Sequence, residues 1–150
     1  MIVVRRISLI LSLILFLTFQ SCKEDESANN PPTIRLISVH PTTLTEFTDS
    51  IVFTIEYEDV DGDIGYPNAD SLSLYLLDAR LVDADKFFIP PLAPLDETVH
   101  IIGEFDIILP NTFRLGTGPQ EVTTYKLWLK DRAGNLSNEI ETPLITILEQ

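Results

Sequence analysis

Apolar and polar side chains alternate with a period of two along much of this chain. Ile51, Phe53, Ile55 and Tyr57 interleave with Val52, Thr54, Glu56 and Glu58. Leu72, Leu74 and Leu76 interleave with Ser71, Ser73 and Tyr75, and Tyr125, Leu127 and Leu129 with Thr124, Lys126 and Trp128. Val99, Ile101, Gly103, Phe105 and Ile107 form a further set, closed by Pro110-Asn111. Successive side chains of a strand point to opposite faces, so each set predicts a strand with one buried face. Residues 33–39 are β-branched and apolar and stop at His40-Pro41. Residues 140–148 read as a last strand, placed at a sheet edge because Pro143 has no N–H to donate to a ladder. Phe87-Phe88-Ile89 supplies a short seventh strand, and Pro90, Pro91 and Pro94 hold its surroundings as loop. No convincing helical spacing occurs from residue 33 onward. The expectation is an all-β chain, an antiparallel β-sandwich of about seven strands.

The first residues follow another pattern. Arg5 and Arg6 precede an apolar run over residues 7–19, and Gln20, Ser21 and Cys22 follow. A basic segment, a short apolar stretch and a small residue before the cut are the layout of a secretory signal. The run is too short to cross the ~30 Å hydrocarbon core as a helix at ~1.5 Å per residue. Cys22 is the sole cysteine, which leaves no disulfide partner within the chain, so it is an intermolecular bridge, a reactive thiol or a site of modification. Phe19-Gln20-Ser21-Cys22 resembles a bacterial lipobox, with Phe19 where Leu is most common. The resemblance implies a covalent lipid on Cys22 as first residue of the mature chain. Lys23-Glu24-Asp25-Glu26 resembles the export signal of Bacteroidota surface lipoproteins. It implies an outer-membrane protein facing the cell exterior, with the periplasmic face as the alternative. Residues 1–21 are thus expected to be a signal helix, 22–32 an acylated tether and 33–150 one sandwich domain.

Composition narrows the partners. The chain has 150 residues and a formal charge of −13; removal of Arg5 and Arg6 with the signal takes it to −15. The 129 residues that remain suffice for one domain with a core. So negative a surface repels nucleic acid and anionic head groups and favours cations.

Residues 125–138, with Tyr125-x-Leu-x-Leu running into Asp131-Arg-Ala-Gly134-Asn135, resemble the F strand and F–G turn of bacterial immunoglobulin-like domains. The resemblance implies an immunoglobulin-like or fibronectin-type-III-like sandwich. Ala133-Gly134-Asn135 supplies residues that tolerate left-handed backbone at such a turn.

One stretch carries candidate chemistry. Asp59, Asp61 and Asp63 occupy alternate positions directly after the second strand, with Gly62 between them for a turn. Clustered carboxylates repel unless a cation joins them, and calcium takes six to eight oxygens. The spacing begins like an EF-hand loop and Asp70 stands at its twelfth position, but Ile64 occupies the place that needs glycine. The stretch resembles the Asp-x-Asp-Gly-Asp-Ile-Gly loop of immunoglobulin-like domains in Bacteroidota lipoproteins. The alternative is a plain acidic turn, its acids serving solubility. Strands that alternate in direction would bring this loop, Asp131 and Asn135 of the later turn, and the tether to one pole. The calcium candidates are therefore Asp59, Asp61, Asp63, Asp70, Asp131 and Asn135.

His40 and His100 stand sixty residues apart and no serine has an evident His/Asp pairing, so no nucleophile–base arrangement is legible. The reading is a non-catalytic, membrane-anchored lipoprotein, a binding or spacer module for an unknown protein or glycan. An accessory subunit of an outer-membrane assembly or transport complex, docking through an edge strand, is the alternative, and a small surface hydrolase the third.

Overall fold

The computed structural model describes residues 30–150. Ten strands follow in order: β1 (Thr33–His40), β2 (Thr43–Thr45), β3 (Ile51–Asp59), β4 (Leu74–Asp78), β5 (Asp85–Phe87), β6 (Ile101–Leu109), β7 (Gln120–Thr123), β8 (Tyr125–Leu129), β9 (Ile140–Glu141) and β10 (Ile145–Leu148). One sheet has the order β1-β3-β6 and the facing sheet the order β5-β4-β8-β9. A third group, β2-β10-β7, prolongs the second sheet, since β7 runs into β8 through Thr124 and β9 into β10 through residues 142–144. This is an all-β sandwich of immunoglobulin-like topology.

The period-two sets become the inner faces. Ile51, Phe53 and Ile55 of β3 face Tyr125, Leu127 and Leu129 of β8, with Leu74 and Leu76 of β4 and Ile145 and Ile147 of β10 completing the core. Phe53 meets the Tyr125 ring edge-on at 5.4 Å. Each fully buried side chain of this size contributes about 1.5–3 kcal/mol relative to exposure. Ile64 and Ile89, from loops, plug the core from the side. In β1 the register shifts between Leu36 and Ser38, a bulge that leaves Ile37 exposed and returns Val39 to the core.

Three expectations are corrected. Among the described residues strand segments number ten rather than about seven, because the first and last strands each split on changing sheet and β7 forms ahead of β8: β2 pairs parallel to β10, which pairs antiparallel to β7. The last strand is not one edge strand. It breaks around Pro143 into β9, which is an edge, and β10, which has neighbours on both sides. Leu72 does not share the inward face of Leu74; the chain is still loop there, Leu72 is 41% exposed and Ser73 is buried in its place.

The strand directions place the ends of the domain at opposite poles. Thr33 pairs with Glu58, so the chain enters beside the loop that follows β3. Leu148 pairs with Thr45 and Gln120 at the far pole. At the entry, Asn138 staples β1: its Oδ1 accepts from Ile34 N at 2.8 Å and its Nδ2 donates to Ile34 O at 2.9 Å.

Candidate functional site

Asp59 is the last residue of β3 and continues the inward-facing phase of Ile51, Phe53 and Ile55, so alternation drives a carboxylate into the end of the core, 1% exposed. Its Oδ2 accepts from Asp63 N (2.7 Å) and Ile64 N (3.1 Å), which folds the chain back on itself. The reversal needs Gly62, at φ +71° and packed so close to the Val99 carbonyl that a Cβ would not fit, and Gly65, at φ +86° against the Pro90 carbonyl. Val99 N donates to Asp61 O and Leu92 N to Ile64 O, so the long β5–β6 connection walls the loop on one side.

The β8–β9 turn walls the other. Ala133 N donates to Asp63 Oδ2 at 2.9 Å and Arg132 N to Asp63 O. The Arg132 guanidinium spans the loop's carbonyls, donating to Gly65 O at 3.0 Å, Gly62 O at 3.3 Å and Ile64 O at 3.4 Å. The Tyr66 hydroxyl donates to Asp131 O at 2.5 Å.

Asp59, Asp61 and Asp63 each present one carboxylate oxygen, and these lie within 4.8 Å of one another. The Oδ1 atom of each is buried and has no hydrogen-bond partner. Among the described residues no salt bridge reaches any of the three. Removing carboxylates from water without a partner is unfavourable, and the group registers it. Burial, followed by the hydrogen bond and charge of Asp59, pushes Asp61 up to about 6. Burial, followed by the charge of Asp131, raises Asp63.

Of the six calcium candidates the structure brings three together. Asp70 is exposed farther along the loop, its N–H donating to Asn68 Oδ1 at 3.0 Å, and it stands outside the carboxylate group. Asp131 is buried near Asp63, but its two oxygens accept from Asn135 N (2.7 Å) and Asn135 Nδ2 (2.8 Å). Those bonds close the β8–β9 turn and spend both side chains on it, so Asp131 and Asn135 act as a wall and not as members of the group. Arg132 was not legible as a site residue. Its place in the turn tolerates many side chains, and only the loop carbonyls opposite reveal its use. Cys22 and the Lys23, Glu24, Asp25, Glu26 run lie outside the described residues.

Two other surfaces stand out. On the outer face of the second sheet, Tyr75 and Trp128 pair across β4 and β8 and stack at 5.2 Å with 5° between planes, with Lys86 Nζ 5.6 Å from the Tyr75 centroid. The free edge of β6 borders an apolar cleft of about 300 Å³ between the sheets, lined by Leu74, Phe87, Phe88, Leu92 and Phe105 among others.

No family model and no curated protein sequence matches the chain. Among solved structures it is similar to an adhesin, the SrpA R347E mutant from Streptococcus sanguinis, at 19% identity and TM-score 0.39, over 81% of this chain and 58% of the adhesin chain. It is also similar to the CARDB domain of the PF1109 protein from Pyrococcus furiosus, in complex with di-metal ions, at 9% identity and TM-score 0.29, over 79% of this chain and 90% of that one. Sheet order and core define the class as an immunoglobulin-like β-sandwich domain.

Proposed function

We propose that the chain is a non-catalytic lipoprotein, acylated at Cys22 and displayed on the outer membrane, whose single sandwich stands off the surface as a binding module. The observation that carries the reading is the order in the sequence: Arg5-Arg6, an apolar run, Cys22, an acidic tetrad and a ten-residue tether ending where β1 begins at Thr33. Lys23, Glu24, Asp25 and Glu26 direct the protein to the cell exterior. Tyr75 and Trp128 stack on each other with Lys86 over the tyrosine, and the half-exposed indole of Trp128 is the aromatic surface against which a sugar ring would pack, so a glycan is the favoured ligand class. The test has two arms. Labelling with a fatty-acid analogue should mark the parent and not Cys22→Ser, and equal label in both sinks the anchor. Trp128→Ala should lose binding to whole-cell or matrix glycans; unchanged binding removes the platform.

A second reading, an accessory subunit of an outer-membrane assembly, draws on one observation. The β6 edge is unpaired, and its outward Ile102 and Ile108 are 64% and 60% exposed. An extended segment of a partner could add to that edge. Crosslinking on intact cells separates the readings: a protein partner recovered through β6 favours assembly.

A further inference from the structure

We infer that Asp59, Asp61 and Asp63 form a calcium site that locks the β3–β4 loop to the β8–β9 turn at the pole where the chain enters the domain. The inference stands on its own geometry and holds whether or not Cys22 carries a lipid.

A cluster of acids alone would be an acidic turn. Two observations go further. Asp59 is 99% buried in a position that strand alternation imposes, its Oδ1 has no partner, and one of its carboxylate oxygens lies within 4.8 Å of an oxygen of Asp61 and of Asp63. Asp61 and Asp63 repeat the arrangement with their own Oδ1 atoms. Three converging carboxylates, each with a buried oxygen that has neither a protein donor nor solvent, define a place for a cation. Arg132 lies beside them, yet its guanidinium is committed to the carbonyls of Gly62, Ile64 and Gly65. The chain therefore supplies a cation to the backbone of this loop and none to its carboxylates.

The donor set selects the ion. All three donors are carboxylate oxygens, the preference of hard cations. Oxygens sharing one calcium stand no more than ~5 Å apart, twice its ~2.3–2.6 Å bond, and the group falls inside that limit at 4.8 Å. Magnesium dehydrates reluctantly and retains several waters, a poorer match to oxygens sealed from solvent. Three negative charges against two leave the site anionic, which favours retention of the ion.

The test uses the full chain in detergent micelles, stripped with chelator. Melting is followed in chelator, in millimolar calcium and in millimolar magnesium. At calcium a hundredfold above Kd, mass action predicts a melting temperature higher by about 5–10 °C, with a clearly smaller shift for magnesium. Terbium should bind with sensitised luminescence that calcium displaces. Asp61→Ala removes one oxygen donor without removing a backbone cap, whereas Asn would keep a carbonyl oxygen that calcium accepts. The alanine variant should abolish the calcium shift while leaving the calcium-free melting temperature equal or higher. Should that variant fail to fold, Asp61→Leu serves, its side chain filling the space of the carboxylate with no oxygen to offer. Equal melting temperatures in calcium and chelator overturn the site and leave a group that holds a proton instead. A calcium shift retained in the variant that folds also overturns it, by placing the ion elsewhere.

Discussion

The two poles of the sandwich treat buried carboxylates in opposite ways. At the far pole each is matched to an arginine. Arg80 Nη2 sits 2.6 Å from Asp78 Oδ2 and its Nη1 3.1 Å from Glu121 Oε2, while Thr123 Oγ1 donates to Asp78 at 2.6 Å. Arg114 joins Glu46 at 2.8 Å and Glu149 at 3.4 Å. At the entry pole Asp59, Asp61 and Asp63 gather with no such partner. Acidity follows. Burial alone would raise Asp78, but the Arg80 and Thr123 hydrogen bonds outweigh it and hold the carboxyl below its usual range. Asp61, with burial and Asp59 acting in the same direction, goes up. One pole carries its cation in the chain; the other leaves that place to the medium. The far pole thus balances its buried carboxylates within the chain, and the entry pole does not.

The comparison breaks most sharply if the far pole loses its internal cation. Arg80→Ala leaves the Asp78 carboxylate buried without its cation, held only by Thr123 Oγ1 and the backbone N–H of residue 80, and is expected to cost about 3 kcal/mol, within the range for breaking a buried pair. Thermal melts should show it as a large loss that calcium does not restore. Gly62→Ala strikes the entry pole, where left-handed backbone and the Val99 carbonyl leave no room for a Cβ. A loss of about 2 kcal/mol or more is expected from such strain, read by urea unfolding together with loss of any calcium response.

Acidity separates the poles by sign. Asp78 has a depressed folded value, so its contribution is present above the unfolded pKa, near 3.9, and is lost as pH falls through the lower folded value. Asp61 has a raised folded value, about 6, so its ionisation weakens the fold as pH rises from the unfolded value through 6. Without divalent ions the melting temperature should therefore rise from pH 7 to 5 and fall below pH 4. A monotonic fall from pH 7 downward would contradict the assignment of opposite signs. Asn138→Ala, which removes the two-bond staple on Ile34, should cost about 1–2 kcal/mol and speed amide exchange at the start of β1 before the rest of β3's partners. Asp70→Asn should change nothing measurable, as expected of an exposed residue outside the group.

Period two made the large strands legible. β3, β4, β6 and β8 follow from it because each has a buried face that the alternation records. β2 escaped because three residues, Thr43–Thr45, hold too little pattern to be told from loop, and its identity rests on pairing with β10, a hundred residues away. Pro143 signalled an edge correctly for β9 but not for β10, because the chain changes sheets between them. The three-carboxylate group was legible, since Asp59 inherits its direction from the strand and Gly62 permits the reversal. Asp131 and Asn135 were misplaced because residue type does not tell whether a carboxylate faces a cavity or closes its own turn.

The opposite placement of entry and exit also sets how the domain would answer a pull. β1 enters at the acidic pole and β10 finishes at the other, and β2, continuing from β1, lies parallel to β10. Tension between the ends draws β2 and β10 past each other along their lengths, and β1 along β3. Antiparallel ladder bonds lie across the strand axis, so those joining β1 to β3 would be loaded in shear and give way together, whereas a peeling load would break them one at a time. The Asn138 staple stands where β1 takes the load first. A sandwich threaded in this way is a tensile element, stiffest along the line from the start of β1 to the distal pole.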